Sequence, residues 1–171
     1  MTRVAFALGS NVGDRRAHLT AAAHALCGRL HRAAVSSLYE TEPVGDVPQA
    51  PYLNAVVVGE TGAGPSELAD WIRSLEAAAG RIRTQRWGPR TLDVDVLLLG
   101  ARTLEAAGLR IPHPRFRERA FVLEPLAEIA ADWVDPETDL SVAGLLERLA
   151  PADRTEVVRV EAPEWAGAVP C

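Results

Sequence analysis

The chain has 171 residues, 48% of them hydrophobic and 24% charged, which suits one globular domain able to bury a core without staples. The net charge of −5 argues against a nucleic-acid coat, and no apolar run approaches the roughly 18 residues of a membrane span. Met1–Leu8 is too short for a secretory leader, and Cys27 and Cys171 are too few for a disulfide framework, so a soluble cytoplasmic protein with a packed Cys27 and an incidental Cys171 is expected.

Val4–Leu8 is a short apolar run ended by Gly9-Ser10-Asn11, a buried strand closing in a turn. Asp14 can cap a helix on which Leu19, Ala22, Leu26 and Leu30 recur at helical spacing. Ala33–Tyr39 reads as a second strand. Thr41–Pro51, with three prolines and Gly45, reads as a loop long enough to be functional. Tyr52–Glu60 is a third strand with Asn54 near its start. Gly62-Ala63-Gly64-Pro65 turns into a second amphipathic helix, marked by Leu68, Trp71, Leu75 and Ala78 and stopped at Gly80. Arg81–Arg90 is a polar, arginine-rich loop, and Leu92–Leu99 is the most strand-like stretch. Shorter helices near Glu124–Ala130 and Val142–Leu149, an edge strand over Thr155–Val160 and a loosely held tail containing Trp165 complete the chain. The order β-α-β-β-α-β is the ferredoxin-like α+β pattern, here with long active-site loops and short C-terminal helices. All of 1–171 reads as one domain, with a core over about 3–150 and a tail over 151–171.

Asp93-Val94-Asp95 is the sharpest chemical feature. Side chains alternate along a strand, so the two carboxylates share a face while Val94, Val96 and Leu98 point to the core. Alone, the pair fits a solvated face or salt bridges to arginine as well as a cation. All 18 basic residues are arginine, and Arg81, Arg83, Arg86 and Arg90 fall within ten positions. A carboxylate pair beside clustered guanidiniums is what Mg-nucleotide chemistry needs, because metal and guanidinium share the neutralisation of phosphate. His113, between Pro112 and Pro114, is held for an aimed side chain that could bond a phosphate, act as an acid, or serve only as a turn residue. Glu76 sits one turn before the arginine loop and could meet a ligand or pair with an arginine. Trp87 in that loop either covers a flat ligand or tucks back onto the domain.

Together, Ala7-Leu8-Gly9-Ser10-Asn11, Tyr52-Leu53-Asn54-Ala55, Arg86-Trp87-Gly88-Pro89-Arg90-Thr91-Leu92-Asp93-Val94-Asp95, Ile111-Pro112-His113-Pro114-Arg115 and Glu118-Arg119-Ala120-Phe121-Val122-Leu123-Glu124-Pro125-Leu126 resemble the 6-hydroxymethyl-7,8-dihydropterin pyrophosphokinase family. The resemblance spans roughly residues 3–130. It implies a ferredoxin-like fold and Mg-dependent transfer of diphosphate from ATP to the hydroxymethyl group of a reduced pterin, releasing AMP, in folate biosynthesis. It implies that Asp93 and Asp95 hold two Mg²⁺ ions. Arg81, Arg83 and Arg90 would serve phosphate transfer, and Arg73, Glu76, Arg81, Arg90, His113 and Arg119 would bind ATP. Thr41, Pro43, Val44, Tyr52, Asn54, Trp87 and Phe121 would form the pterin pocket. Its partners would be these small substrates; charge and composition lead us to expect neither nucleic acid nor membrane, and the lack of a leftover exposed apolar stripe a monomer.

The stretch Arg83–Trp87 is one residue shorter than in a member of the family and lacks lysine, leaving the role of Arg86 open. The tail beyond Thr155 has no family counterpart. Two other readings share some of these features. Another Mg-nucleotide transferase would use the carboxylates and arginines without a flat-ring pocket, and would release diphosphate rather than AMP. A ligand-binding module would need no metal, and its ligand binding would survive Asp93→Ala.

Overall fold

β1 (Thr2–Ser10) sends Val4, Phe6 and Leu8 into one apolar cluster and Ala5 and Ala7 against a second on the opposite face. A strand buried on both faces belongs at the centre of a sheet, and β1 has antiparallel neighbours on both sides. The computed structural model describes residues 1–43, 48–80, 89–162 and 164–165.

α1 (Arg15–Cys27) starts where the Asp14 carboxylate accepts the Ala17 N–H at 3.0 Å, and it buries Leu19, Ala22, Ala23 and Leu26. Leu30 follows the helix rather than extending it. The expected strand Ala33–Tyr39 is instead two, β2 (His31–Val35) and β3 (Leu38–Thr41), both lying along β4 (Tyr52–Thr61). Ser36 causes the break: its hydroxyl accepts the Val56 N–H at 2.9 Å, where a ladder carbonyl would, while its own carbonyl accepts Trp165 Nε1–H at 2.7 Å. α2 (Pro65–Ala78) buries Leu68, Ile72 and Leu75, and Gly80 beyond it takes the left-handed φ of +69° expected of a helix stop. Trp71 is only partly buried, under Arg29.

β5 (Asp93–Leu99) pairs with β1 through a register shift. Phe6 faces Val96 and Ala5 faces Leu98, so Leu97 is an extra residue without a partner. Val94 and Val96 join the cluster under α1 and α2, as expected. Leu98 does not, because the bulge turns it with Leu97 to the other face. The hairpin of β6 (Leu104–Ala106) and β7 (Leu109–Ile111), unforeseen from the sequence, turns on Ala107 and Gly108, both at positive φ. A 3₁₀ turn (Phe116–Glu118) leads into α3 (Ala120–Ala130), which begins earlier than the expected Glu124. α4 (Val142–Arg148), α5 (Pro151–Thr155) and β8 (Val157–Val160) follow.

The main sheet runs β5-β1-β4-β3-β8, with β2 also on β4, and the ferredoxin-like core is as expected. α1 and α2 cover one face; α3 and α4 cover the other. The tail is firmer than expected at Trp165, which is 5% exposed and hydrogen-bonded. Cys27 is packed, as expected; Cys171 lies outside the described residues. Among the described residues, no helix is long and apolar enough to cross a membrane.

Candidate active site

Five strands deliver residues to one end of the sheet. Gly9 at the end of β1 lies between Asp93 at the start of β5 and Asn54 near the start of β4. Thr41 at the end of β3 lies between Tyr52 and Val157. A cavity of about 380 Å³ opens there, lined by residues of β5, β1, β4, β3 and β8 and roofed by the start of α3. Four interstrand spacings separate its ends, about 19 Å. Gly9 keeps the floor open, since a Cβ there would come within 3.3 Å of Asn54 Oδ1 and 3.7 Å of the Tyr52 ring.

The β5 end is charged. Asp93 and Asp95 share the cavity face, as the alternation requires. Arg90 Nη1 donates to Asp93 Oδ2 at 2.6 Å. His113 Nε2 stands 3.6 Å from Asp95 Oδ2, and its Nδ1 accepts the Arg115 N–H at 3.2 Å. The β5 bulge fixes that histidine: the Leu97 carbonyl accepts the His113 N–H at 2.9 Å. Burial and then the neighbouring Asp93 carboxylate push Asp95 up to about 6, although Arg119 and Arg90 oppose this. Burial and then Arg119 push His113 down to about 4. The imidazole is therefore neutral near pH 7 and carries its proton at Nε2, a hydrogen-bond donor rather than a ready acid. Burial also lowers Arg119, with Asp95 acting against it.

The β3 end is quieter. Asn54 is buried and its Nδ2 donates to Thr41 Oγ1 at 3.0 Å. Tyr52 and Phe121 line the cavity, and the Arg119 guanidinium sits 5.6 Å from the centre of the Phe121 ring. The arrangement offers an aromatic face, an amide and a hydroxyl to a flat polar ring, while the β5 end offers carboxylates and guanidiniums to a polyanion with its metal.

Not every expected residue is here. Pro43 is described but does not line the cavity. Arg73 is exposed on α2 and pairs with Asp70. Glu76 is buried behind β5, where its carboxylate accepts the Val94 N–H at 3.3 Å; it is near enough to help raise Asp95. Val44, Arg81, Arg83 and Trp87 lie outside the described residues, as does Arg86. Among the described residues, no group of three His, Cys, Asp or Glu side chains forms a metal cluster. Two adjacent carboxylates nonetheless fit a hard cation whose other ligands are phosphate and water, and their mutual repulsion is what such a cation relieves.

The sequence reading passed over Asn11 as a site residue. Its N–H donates to the Arg90 carbonyl at 3.0 Å and its Oδ1 accepts the Arg90 N–H at 2.8 Å. Its Nδ2 donates to Gln49 Oε1 at 2.9 Å and to the Ala50 carbonyl at 3.1 Å. One side chain thus ties both long loops to the end of β1. Arg115, which closes the Ile111–Arg115 segment and carries no expected role, also lines the cavity.

The family model for 7,8-dihydro-6-hydroxymethylpterin-pyrophosphokinase matches residues 5–131. The chain belongs to this family. A pyrophosphokinase of Bacillus subtilis named for 2-amino-4-hydroxy-6-hydroxymethyldihydropteridine is 47% identical over 134 residues, 75% of this chain and 79% of that one. A protein of the same name from Methylorubrum extorquens is 42% identical over 163 residues, 94% of this chain and all of that one. Among solved structures, a Plasmodium falciparum HPPK-DHPS triple mutant with pteroate superposes with a TM-score of 0.69 at 15% identity, over 94% of this chain and 47% of that one. That likeness concerns less than half of the solved chain and shows the fold. The pyrophosphokinase family match covers β1 through α3, the elements that build most of the cavity.

Proposed function

We propose that this pyrophosphokinase transfers the β,γ-diphosphate of ATP to the hydroxymethyl group of 6-hydroxymethyl-7,8-dihydropterin, releasing AMP, as a step of folate biosynthesis. The observation that carries the reading is one cavity with a charged end on β5 and an aromatic, amide-bearing end on β3 and β4. Asp93 and Asp95 would hold two Mg²⁺ ions. Bound there, the metal would supply charge neutralisation on the diphosphate and polarise the phosphorus under attack. Arg90 and Arg119 would offset the remaining phosphate charge, and Arg81 and Arg83 would serve the same transfer. Neutral His113 would donate from Nε2 to a phosphate oxygen. Arg73 and Glu76 would act from α2, behind β5.

Phe121 and Trp87 would stack on the pterin faces, while Thr41, Pro43, Val44, Tyr52 and Asn54 would line its edges. The chain's contribution is positioning: it would set the pterin hydroxyl in line with the phosphorus and keep competing water out. No general base is required for such a transfer, because charge neutralisation and alignment dominate it. The whole of 1–171 would act as one domain, as a monomer in the cytoplasm.

AMP release from ATP tests the reading. AMP formation by the wild type should require both Mg²⁺ and the pterin. Asn54→Ala should raise the pterin KM about tenfold and leave the ATP KM unchanged, because it orphans an edge contact of the pterin alone. Pterin-independent AMP, or diphosphate in place of AMP, would sink it.

A further inference from the structure

The segment from α5 into β8 lies beyond the family match, which ends at residue 131. It nevertheless lines the cavity with Asp153, Glu156 and Val157. We propose that Pro151–Val160 is the outer wall of the pterin half of the site, held in place from α3, and that it sets how tightly the neutral ring is bound. The proposal rests on the pterin reading above and deepens it.

Three contacts carry it. β8 pairs with β3 along its whole length and sets Val157 opposite Thr41, whose hydroxyl accepts from Asn54. The wall therefore stands one strand beyond the side chains proposed for the ring edge. Arg154 Nε donates to Glu124 Oε1 at 2.8 Å, and Glu124 lies one turn after Phe121 on α3. The same ion pair thus spans from the wall to the helix that carries the proposed stacking ring. Farther along, Glu128 of α3 reaches Arg159 of β8 at 3.7 Å and accepts the Tyr39 hydroxyl of β3 at 3.0 Å. α3, β3 and β8 are thereby fixed to one another around the ring-binding end, while the phosphate end on β5 is four strands away.

The charges agree with this division. Asp153 and Glu156 stand at the β8 end, and the guanidiniums of Arg90, Arg115 and Arg119 are supplied by the segments flanking β5 and α3. A neutral heterocycle tolerates carboxylates beside it, whereas a triphosphate needs its charge offset, as Arg90 and the cation that Asp93 and Asp95 would hold offset it at the β5 end.

The test compares pterin KM, ATP KM and kcat for Arg154→Ala, Glu124→Ala, the two together, and Val157→Ala, with thermal midpoints recorded for each. Arg154→Ala should raise the pterin KM about fivefold, with kcat and ATP KM within about twofold of wild type. Glu124→Ala should match it and the pair should be no worse than either alone, since both remove one contact. Val157→Ala trims the wall without touching the ion pair and should raise the pterin KM about threefold; it decides the matter if Arg154→Ala does not fold. An unchanged pterin KM, or equal rises in both KM values, would overturn the wall. A wild type without pterin-dependent AMP would instead overturn the reaction itself.

Discussion

Asp95→Asn should cut pterin-dependent AMP formation by about 10³-fold and, in metal-free protein at pH 7.5, raise the thermal midpoint. The two effects have one origin. Burial and the neighbouring Asp93 carboxylate hold Asp95 at about 6, above the ordinary 3.8, so the native state binds more protons than the unfolded chain between those values. Stability contributed by this group therefore falls as pH rises from about 4 to about 6, and the ionised carboxylate is a full burden above that. Asparagine removes the burden. The full displacement would be worth about 3 kcal/mol in a dry site, but the Asp95 side chain is 36% exposed, and screening by water brings the expected gain to about 1 kcal/mol. That is about 2–4 °C for a chain of this size.

His113 acts in the opposite sense over the same window. Its native value of about 4 lies below the ordinary 6.5, so its contribution grows as pH rises between them. In the wild type the two trends offset each other; in Asp95→Asn the histidine's is no longer opposed by Asp95, and stability should climb more steeply from pH 4 to 6.5. Thermal melts of the two proteins at pH 4.5 and 7.5 check this. A gain of equal size at both pH values would show that the carboxylate charge is not the cause.

Asp135→Ala should destabilise the protein by about 3 kcal/mol, lowering the midpoint by about 6–12 °C. Asp135 is fully buried, and Arg117 donates to it from both Nε and Nη2, with the Thr138 hydroxyl and the Glu137 N–H adding two more bonds. Burial alone would push the carboxyl up, but these bonds prevail and hold it below its usual range. Truncating it strands a guanidinium that is only 19% exposed, with Glu137 as the acidic partner it keeps. The double variant Arg117→Met/Asp135→Leu should recover much of the loss, because the one charge left without its partner, Glu137, is 36% exposed and solvated. Calorimetry of the three proteins reads this; a double variant no more stable than Asp135→Ala would show that the ion pair is not what the site needs. Since Arg117 lies between Arg115 and Arg119, the single variant should also raise the ATP KM.

Much of the core was legible because it obeys simple periods. Alternation placed Asp93 and Asp95 together on the cavity face, and the i, i+3, i+4 pattern found α1 and α2. The failures have local causes. Ser36 split an expected strand by replacing a ladder carbonyl with its hydroxyl, and the donor that takes the freed carbonyl, Trp165, is 129 residues away. The helix expected near Glu124–Ala130 begins four residues earlier, at Ala120, and accommodates Pro125 in its interior. Leu98 changed face because a bulge inserts one residue, which no binary pattern announces. In the candidate site, residue types and the resemblance indicated Arg90, His113, Arg119, Phe121 and Asn54. The reach of Asn11 across two loops was hidden because its partners are distant in the chain and mostly backbone.

The unpaired residue of β5 also bears on how the gene can change length. A deletion between Asp93 and Val96 would slip the strand and rotate one or both carboxylates out of the cavity, so that stretch has no freedom to shorten. Removing Leu97 itself would leave Asp93 opposite Gly9 and Asp95 opposite Ala7, and would keep Leu98 and Leu99 beside Ala5 and Val4. The carbonyl that fixes His113 would go with it. Shortening of this strand is thus confined to one codon, and its cost would fall both on the aim of the imidazole and on the second apolar cluster, which would lose a buried leucine.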